Sequence, residues 1–303
     1  MRKGPDTPRR RRAVPLAALA LLALLATACA DRGGQASGPG RSATTFVHIH
    51  GVAVDPSDPS ILWVATHRGL IRGSGDDTWS YASGDRNDYM GFTLDPTSGT
   101  VFRSGHPEAG GNLGVESSTD GRRWRRVATV LDPPVDFHAM TLSFADPKTM
   151  YGWDSGGRGL FRSTDGGSTW EGLSPEGLDP RVFSLAAPAQ PSVVFTGTPS
   201  GLFRSDDAGA TWRKVAGRGL ATVAADPKDP NHVLAFLKGE GMRVSRDGGH
   251  TWSLASKGIP SGELIGALAI SPQDPNQAYA AGPTTIYKTV DGGSSWTVIR
   301  SES

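Results

Sequence analysis

Cysteine is almost absent: Cys29 is the single one in 303 residues. No intramolecular disulfide can form, and beyond residue 29 there is neither a cysteine-ligated metal site nor a cysteine nucleophile. An excess of charge is missing too. Lys and Arg number 31 against 30 Asp and Glu. The basic residues crowd the start, where Arg2, Lys3, Arg9, Arg10, Arg11 and Arg12 face only Asp6. Without that segment the chain is net acidic, which argues against a nucleic-acid partner. Long apolar runs are also lacking. The stretch from Ala13 to Ala28 falls short of the about 20 residues that a transmembrane helix needs.

A basic start, an apolar stretch and small residues before a cysteine make an export signal. Ala26-Thr27-Ala28-Cys29 resembles a bacterial lipobox, with Ala26 where leucine is usual. The resemblance implies a signal peptide over residues 1–28, a lipid on Cys29 and attachment to a membrane on its extracytoplasmic side. The arginine run lacks the Phe-Leu-Lys context of twin-arginine export, so both export routes stay open. Residues 29–45 are rich in Gly and Ser and read as a flexible tether. Residues 46–303 suit one large all-β domain.

That domain is organised by a repeated stretch. Ser163-Thr164-Asp165-Gly166-Gly167-Ser168-Thr169-Trp170 returns at Ser205 to Trp212, Ser245 to Trp252 and Thr289 to Trp296. Ser118 to Trp124 is one residue shorter, and Ser74 to Trp79 is a worn copy. Spacings of 40–50 residues mark a stacked or radial repeat fold. Between boxes the pattern recurs: an alternating strand ending in Asp-Pro, a second strand, a glycine turn, a third strand, then the box and an outer strand led by Trp. Four short strands per repeat make one propeller blade, and six repeats predict a six-bladed β-propeller. Asp120, Asp165, Asp207, Asp247 and Asp291 are expected to accept backbone hydrogen bonds and fold their turns. A residue type present in every repeat is framework rather than catalyst.

The repeat resembles the Asp-box, or BNR, repeat of sialidase-type and sortilin-type propellers. That superfamily offers two activities. Sialidases use a Tyr nucleophile with acidic partners and an arginine cluster; Tyr89 lies on the candidate face and Arg68 could reach it, but no Glu pairs with Tyr89 and nothing requires the arginines to converge. Glycoside hydrolysis through Asp88, Glu108 and Asp136 is a related reading. Sortilin-type receptors and a photosystem assembly factor act by holding polypeptides, which implies a protein or glycan partner. The chain also resembles bacterial exported propellers carrying His-Ile-His-Gly, Met-Gly-Phe, Ser-Gly-His-Pro and Asp-Phe-His-Ala, here His48 to Gly51, Met90 to Phe92, Ser104 to Pro107 and Asp136 to Ala139.

The histidines break the repeat. Five of the seven fall in blades 1 to 3, and strand order assigns all five to the face opposite the boxes. His48 and His50 open the inner strand of blade 1, and His138 opens that of blade 3. His67 and His106 end second strands. The matching positions of blades 4 to 6 carry none, so the repeat does not require them. Imidazole suits Cu, Zn, Ni and Fe, and a thioether adds preference for Cu(I). A transition-metal site, Cu or Zn, is expected from His48, His50 and His138, with His67, His106 and Met90 completing it. Asp88 and Asp136 are expected as ligand-binding or orienting carboxylates. A monomer is expected, and ring closure is expected through side-chain packing between blades 6 and 1.

Overall fold

The computed structural model describes residues 40, 42–43, 45–74, 78–255 and 257–301. The expected signal peptide, Cys29 and most of the expected tether lie outside them. The described chain forms six four-stranded antiparallel sheets, each built from consecutive strands. Blade 1 runs Ile49–Val54, Ile61–Thr66, Gly69–Ser74 and Ser80–Tyr81. Blade 2 runs Asp88–Leu94, Val101–His106, Val115–Ser118 and Arg125–Ala128. Blade 3 runs Phe137–Leu142, Met150–Asp154, Gly159–Ser163 and Glu171–Gly172. Blades 4, 5 and 6 have inner strands Ser184–Ala186, Ala221–Ala225 and Ala267–Ile270. The protein is a six-bladed all-β propeller.

The repeated turns work as their residues dictate. In blade 4, Asp207 Oδ1 accepts from Thr211 N–H at 2.8 Å and Oδ2 from the Thr211 hydroxyl at 2.7 Å. Ser205 Oγ accepts from Gly209 N–H at 2.9 Å, and Trp212 Nε1–H donates to Gly209 O at 2.9 Å. The same set recurs around Asp165 and Asp291. These contacts hold the carboxyls of Asp165, Asp207 and Asp291 down at about 2, and the N–H groups of Arg123 and Arg122 do the same for Asp120. The tryptophans then pack between sheets: Trp212 lies with Leu160 of blade 3, and Trp296 with Phe236 of blade 5.

Each core cluster joins two adjacent blades, so the apolar interior is a ring rather than one centre. One apolar residue per inner strand (Val52, Phe92, Met140, Leu185, Val223 and Leu268) lines the axis. The last strand, Thr297–Ser301, stays in its own sheet. Closure rests on packing of Ile49 and Val52 against Ala267, Tyr279 and Ile286. Ile49 N–H also donates to Pro283 O at 2.9 Å, and Gln277 Nε2 to Pro59 O at 2.6 Å.

One expected boundary is corrected. The tether was expected to reach residue 45, but Gly40 N–H donates to Tyr81 O at 2.9 Å and Ala43 N–H to Trp79 O at 2.8 Å. Ser42 bridges Ser80, and Ala43 is buried. The outer strand of blade 1 has an open edge, and an open edge recruits backbone whatever its side chains. Glycine-rich composition does not reveal such pairing.

Candidate metal centre

Three β-bulges build the site. In the inner strand of blade 1 the register slips between Ile49 and Gly51, leaving His50 extra. In blade 2 it slips between Tyr89 and Gly91, leaving Met90 extra. In blade 3 Phe137 and Ala139 face consecutive partners, leaving His138 extra. The inner strands of blades 4, 5 and 6 pair without a slip. A bulge re-aims its side chain and is a recurrent device beside functional sites. Simple alternation along the strand could not show this. His48 adds a second irregularity, with φ +53°, a left-handed backbone uncommon outside glycine.

Across the three blades the same positions carry His48, Asp88 and Asp136 before the bulge. The ends of the second strands supply His67, His106 and Ser155. Sequence reasoning missed Ser155, although its offset from the second strand matches that of the two histidines. The residues link from blade to blade. His67 Nδ1 is 2.7 Å from Asp88 Oδ2, and His106 Nε2 is 3.5 Å from Asp136 Oδ1. Within blade 2, Gly105 at φ +140° has no Cβ to collide with Asp88 O, which would lie 2.1 Å away, so the second strand ends close against the backbone of Asp88.

Two triads result. His48, His50 and His67 offer ligand atoms within 4.8 Å of one another, and so do His106, Asp136 and His138. His138, expected to join His48 and His50, belongs instead to the second triad. In the first, His50 stacks on His48 with ring centroids 4.6 Å apart and meets His67 edge-on at 4.4 Å. His67 Nε2 lies 3.2 Å from His48 Nδ1. His50 Nε2 faces Asp88 Oδ1 at 3.9 Å. In the second, His138 Nε2 is 2.8 Å from Asp136 Oδ2 without hydrogen-bond geometry, while the Ser155 hydroxyl donates to that oxygen at 2.5 Å.

Burial and neighbouring rings disfavour charge on His48 and His50. Burial, then the neighbouring His67, His48 and His138, push His50 down to about 3. Burial and His67 lower His48 as well. Burial opposes ionisation of Asp136, but His138 and Ser155 outweigh it and hold that carboxyl below its ordinary value. Eight buried side-chain polar atoms lack a hydrogen-bond partner among the described residues. Four of them are His50 Nε2, Asp88 Oδ1, Asp136 Oδ1 and His138 Nε2. Each such atom costs about 1–3 kcal/mol unless something meets it.

The triads open into a cavity of about 520 Å³. His48, His50, Met90 and His138 line one side, and Val182, Phe183, Leu220, Leu264 and Ile265 line the other. Phe183 is 54% exposed and Leu264 38%. The hollow on the opposite face, around Trp63, Arg72 and Asp120, differs: there Asp55 already accepts from both Trp63 Nε1 and Arg72.

Two expected ligand-binding residues are corrected. Tyr89 is wholly buried, bonded to Ser83 at 3.1 Å and Asp85 at 2.8 Å and capped by Arg103. Burial pushes its hydroxyl far above the ordinary range. Alternation from Asp88 turns Tyr89 into the interface between blades, so it is framework and no nucleophile. Arg68 is exposed on its turn and does not line the cavity.

No protein-family profile matches the chain, and no curated protein does. Solved structures share its fold. A GH74 xyloglucanase from Xanthomonas campestris superposes with TM-score 0.54 at 16% identity, over 86% of this chain and 56% of that one. A GH74 enzyme from Niastella koreensis gives 0.56 at 14%, over 88% and 47%. YCF48 bound to D1 peptide gives 0.50 at 16%, over 85% and 82%. This chain spans about half the length of the two GH74 structures. At such identities the likeness is one of fold.

Proposed function

We propose that this protein is an exported, lipid-anchored binding protein that holds a transition-metal ion at the histidine mouth of its propeller. The observation that carries the reading is the pair of inward, partnerless atoms His50 Nε2 and Asp88 Oδ1, 3.9 Å apart. At 3.9 Å a proton on His50 Nε2 is too far from the oxygen for a hydrogen bond; a cation between the two atoms would meet both. Asp88 supports the same ion differently. By accepting His67 Nδ1–H it leaves the Nε2 lone pair free, the arrangement in which a carboxylate orients a metal-bound imidazole. Two nitrogens about 2.0–2.1 Å from a tetrahedral ion lie about 3.4 Å apart, and His67 Nε2 and His48 Nδ1 are 3.2 Å apart.

Three imidazoles suit zinc and copper(II), and Met90 beside them favours copper(I). Three protein ligands leave a coordination position open toward the cavity. The ion is therefore accessible to a small donor, as a metal-handling or metal-assisted site requires. Cys29 would keep the propeller at the membrane.

The test is retained metal. Tag-free protein is exposed in turn to Cu(I), Cu(II), Zn(II), Ni(II) and Fe(II), desalted, and its metal counted. Retention of copper or zinc by the wild type, reduced on His50→Ala, supports the reading. A metal-free wild type under every condition overturns it.

A further inference from the structure

We infer that the mouth contains a second, separate metal position formed by His106, Asp136 and His138. This rests on reading the mouth as a metal site, and it adds a centre on blades 2 and 3 to the one on blade 1.

The tautomer of His106 carries the argument. Its Nδ1 lies 3.1 Å from both Gly111 O and Asn112 Oδ1. Asn112 donates its own Nδ2 to Pro134 O at 2.9 Å, which turns Oδ1 toward the ring. Both neighbours of Nδ1 are thus acceptors, so Nδ1 carries the hydrogen. The lone pair on Nε2 then points at Asp136 Oδ1, 3.5 Å away, an oxygen with no donor of its own. Two acceptors aimed at each other across 3.5 Å, one of them a buried carboxylate oxygen, are suited to a cation between them. His138 Nε2, 2.8 Å from Asp136 Oδ2 but without hydrogen-bond geometry, closes the triad from the bulge of blade 3.

The first triad contains the same device with other residues. There Asp88 holds His67 in its tautomer; here Asn112 holds His106. Each triad therefore has its own orienting partner. Each also has one carboxylate close by, Asp88 or Asp136, to balance the charge of one ion. Donors within each triad lie inside 4.8 Å, and neither triad draws on the other. One ion cannot reach all six at bonding distances of about 2.0–2.2 Å. Met90, extra on the blade 2 bulge, lines the same cavity as His50 and His138 and brings a thioether to it.

The experiment counts ions per chain with zinc(II) and, separately, copper(II). Tag-free protein is loaded, desalted and assayed for metal beside His48→Ala, His67→Ala, His106→Ala, Asp136→Asn and the His67→Ala/His106→Ala double variant. His106 is partly exposed, and Asp136→Asn keeps the shape of its site, so loss of fold is not expected; circular dichroism checks it. Two ions in the wild type, one in each single variant and none in the double variant are expected. One ion in the wild type overturns the pair of centres: an ion that survives His106→Ala but not His67→Ala leaves only the first, and an ion lost in every variant shows that the two triads are not independent. No ion in the wild type overturns the proposed function itself, and is thereby distinguished from a count of one.

Discussion

His67 and Asp88 come from adjacent blades, yet the imidazole Nδ1 lies 2.7 Å from the carboxylate Oδ2. The contact joins two blades at the propeller mouth, and one blade on His106 Nε2 approaches Asp136 Oδ1 to 3.5 Å. Neither residue would be placed by its own blade alone.

Asp88→Asn therefore disturbs the metal through His67. The amide can present a donor where the carboxylate accepts, and the tautomer of His67 is no longer set. We expect metal affinity to fall about 10–100-fold with the melting temperature nearly unchanged. Competition against a chromophoric chelator measures it. Unchanged affinity would show that Asp88 does not orient the ring.

Tyr89 provides the opposite expectation. Its hydroxyl is buried against Ser83, Asp85 and Arg103. Tyr89→Phe strips these groups of a partner and should destabilise the protein by about 1–3 kcal/mol. Metal content should not change. Denaturant unfolding and metal assay on one preparation separate the two effects, and loss of metal without loss of stability would refute the framework role.

Blade 4 holds a fault that the other complete boxes lack. Ala208, at φ +57°, stands where Gly166, Gly248 and Gly292 take φ +70° to +75°. A left-handed alanine costs about 1–2 kcal/mol in the folded state, partly offset because glycine loosens the unfolded chain. Ala208→Gly should thus raise stability modestly, by about 0.5–1 kcal/mol. A lower melting temperature would contradict it.

The box carboxyls set an acid limit. Their folded values of about 2 lie below the about 3.9 of an unfolded aspartate. Unfolded chains then bind more protons in this range, so the contribution is complete above about pH 4 and lost as pH falls toward 2. Melting temperature measured from pH 6 to 2 should drop most steeply below pH 4. In Asp165→Asn and Asp207→Asn that drop should be shallower. An identical profile in the variants would locate the acid sensitivity elsewhere.

The repeat made the architecture legible, because Asp165 and its equivalents use side chains to fold their turns and so leave a periodic trace. The convergence of His48, His50, His67, His106 and His138 on one face followed from strand order. Their division into two triads did not. It depends on bulges at His50, Met90 and His138, and a bulge is a mismatch between two strands that neither strand's sequence records alone. Docking of Gly40 and Ala43 on blade 1 was hidden for a similar reason, since it is made by backbone. Alternation from Asp88 turns Tyr89 into the packing between blades, where its hydroxyl meets Ser83 and Asp85.

The most direct measurement is an anomalous difference map from crystals grown with copper or zinc, recorded on both sides of the metal edge. The account places a peak about 2.0–2.1 Å from His50 Nε2, within the His48, His50 and His67 triad. A mouth without a peak, or a peak confined to the Asp-box turns of the opposite face, would contradict it.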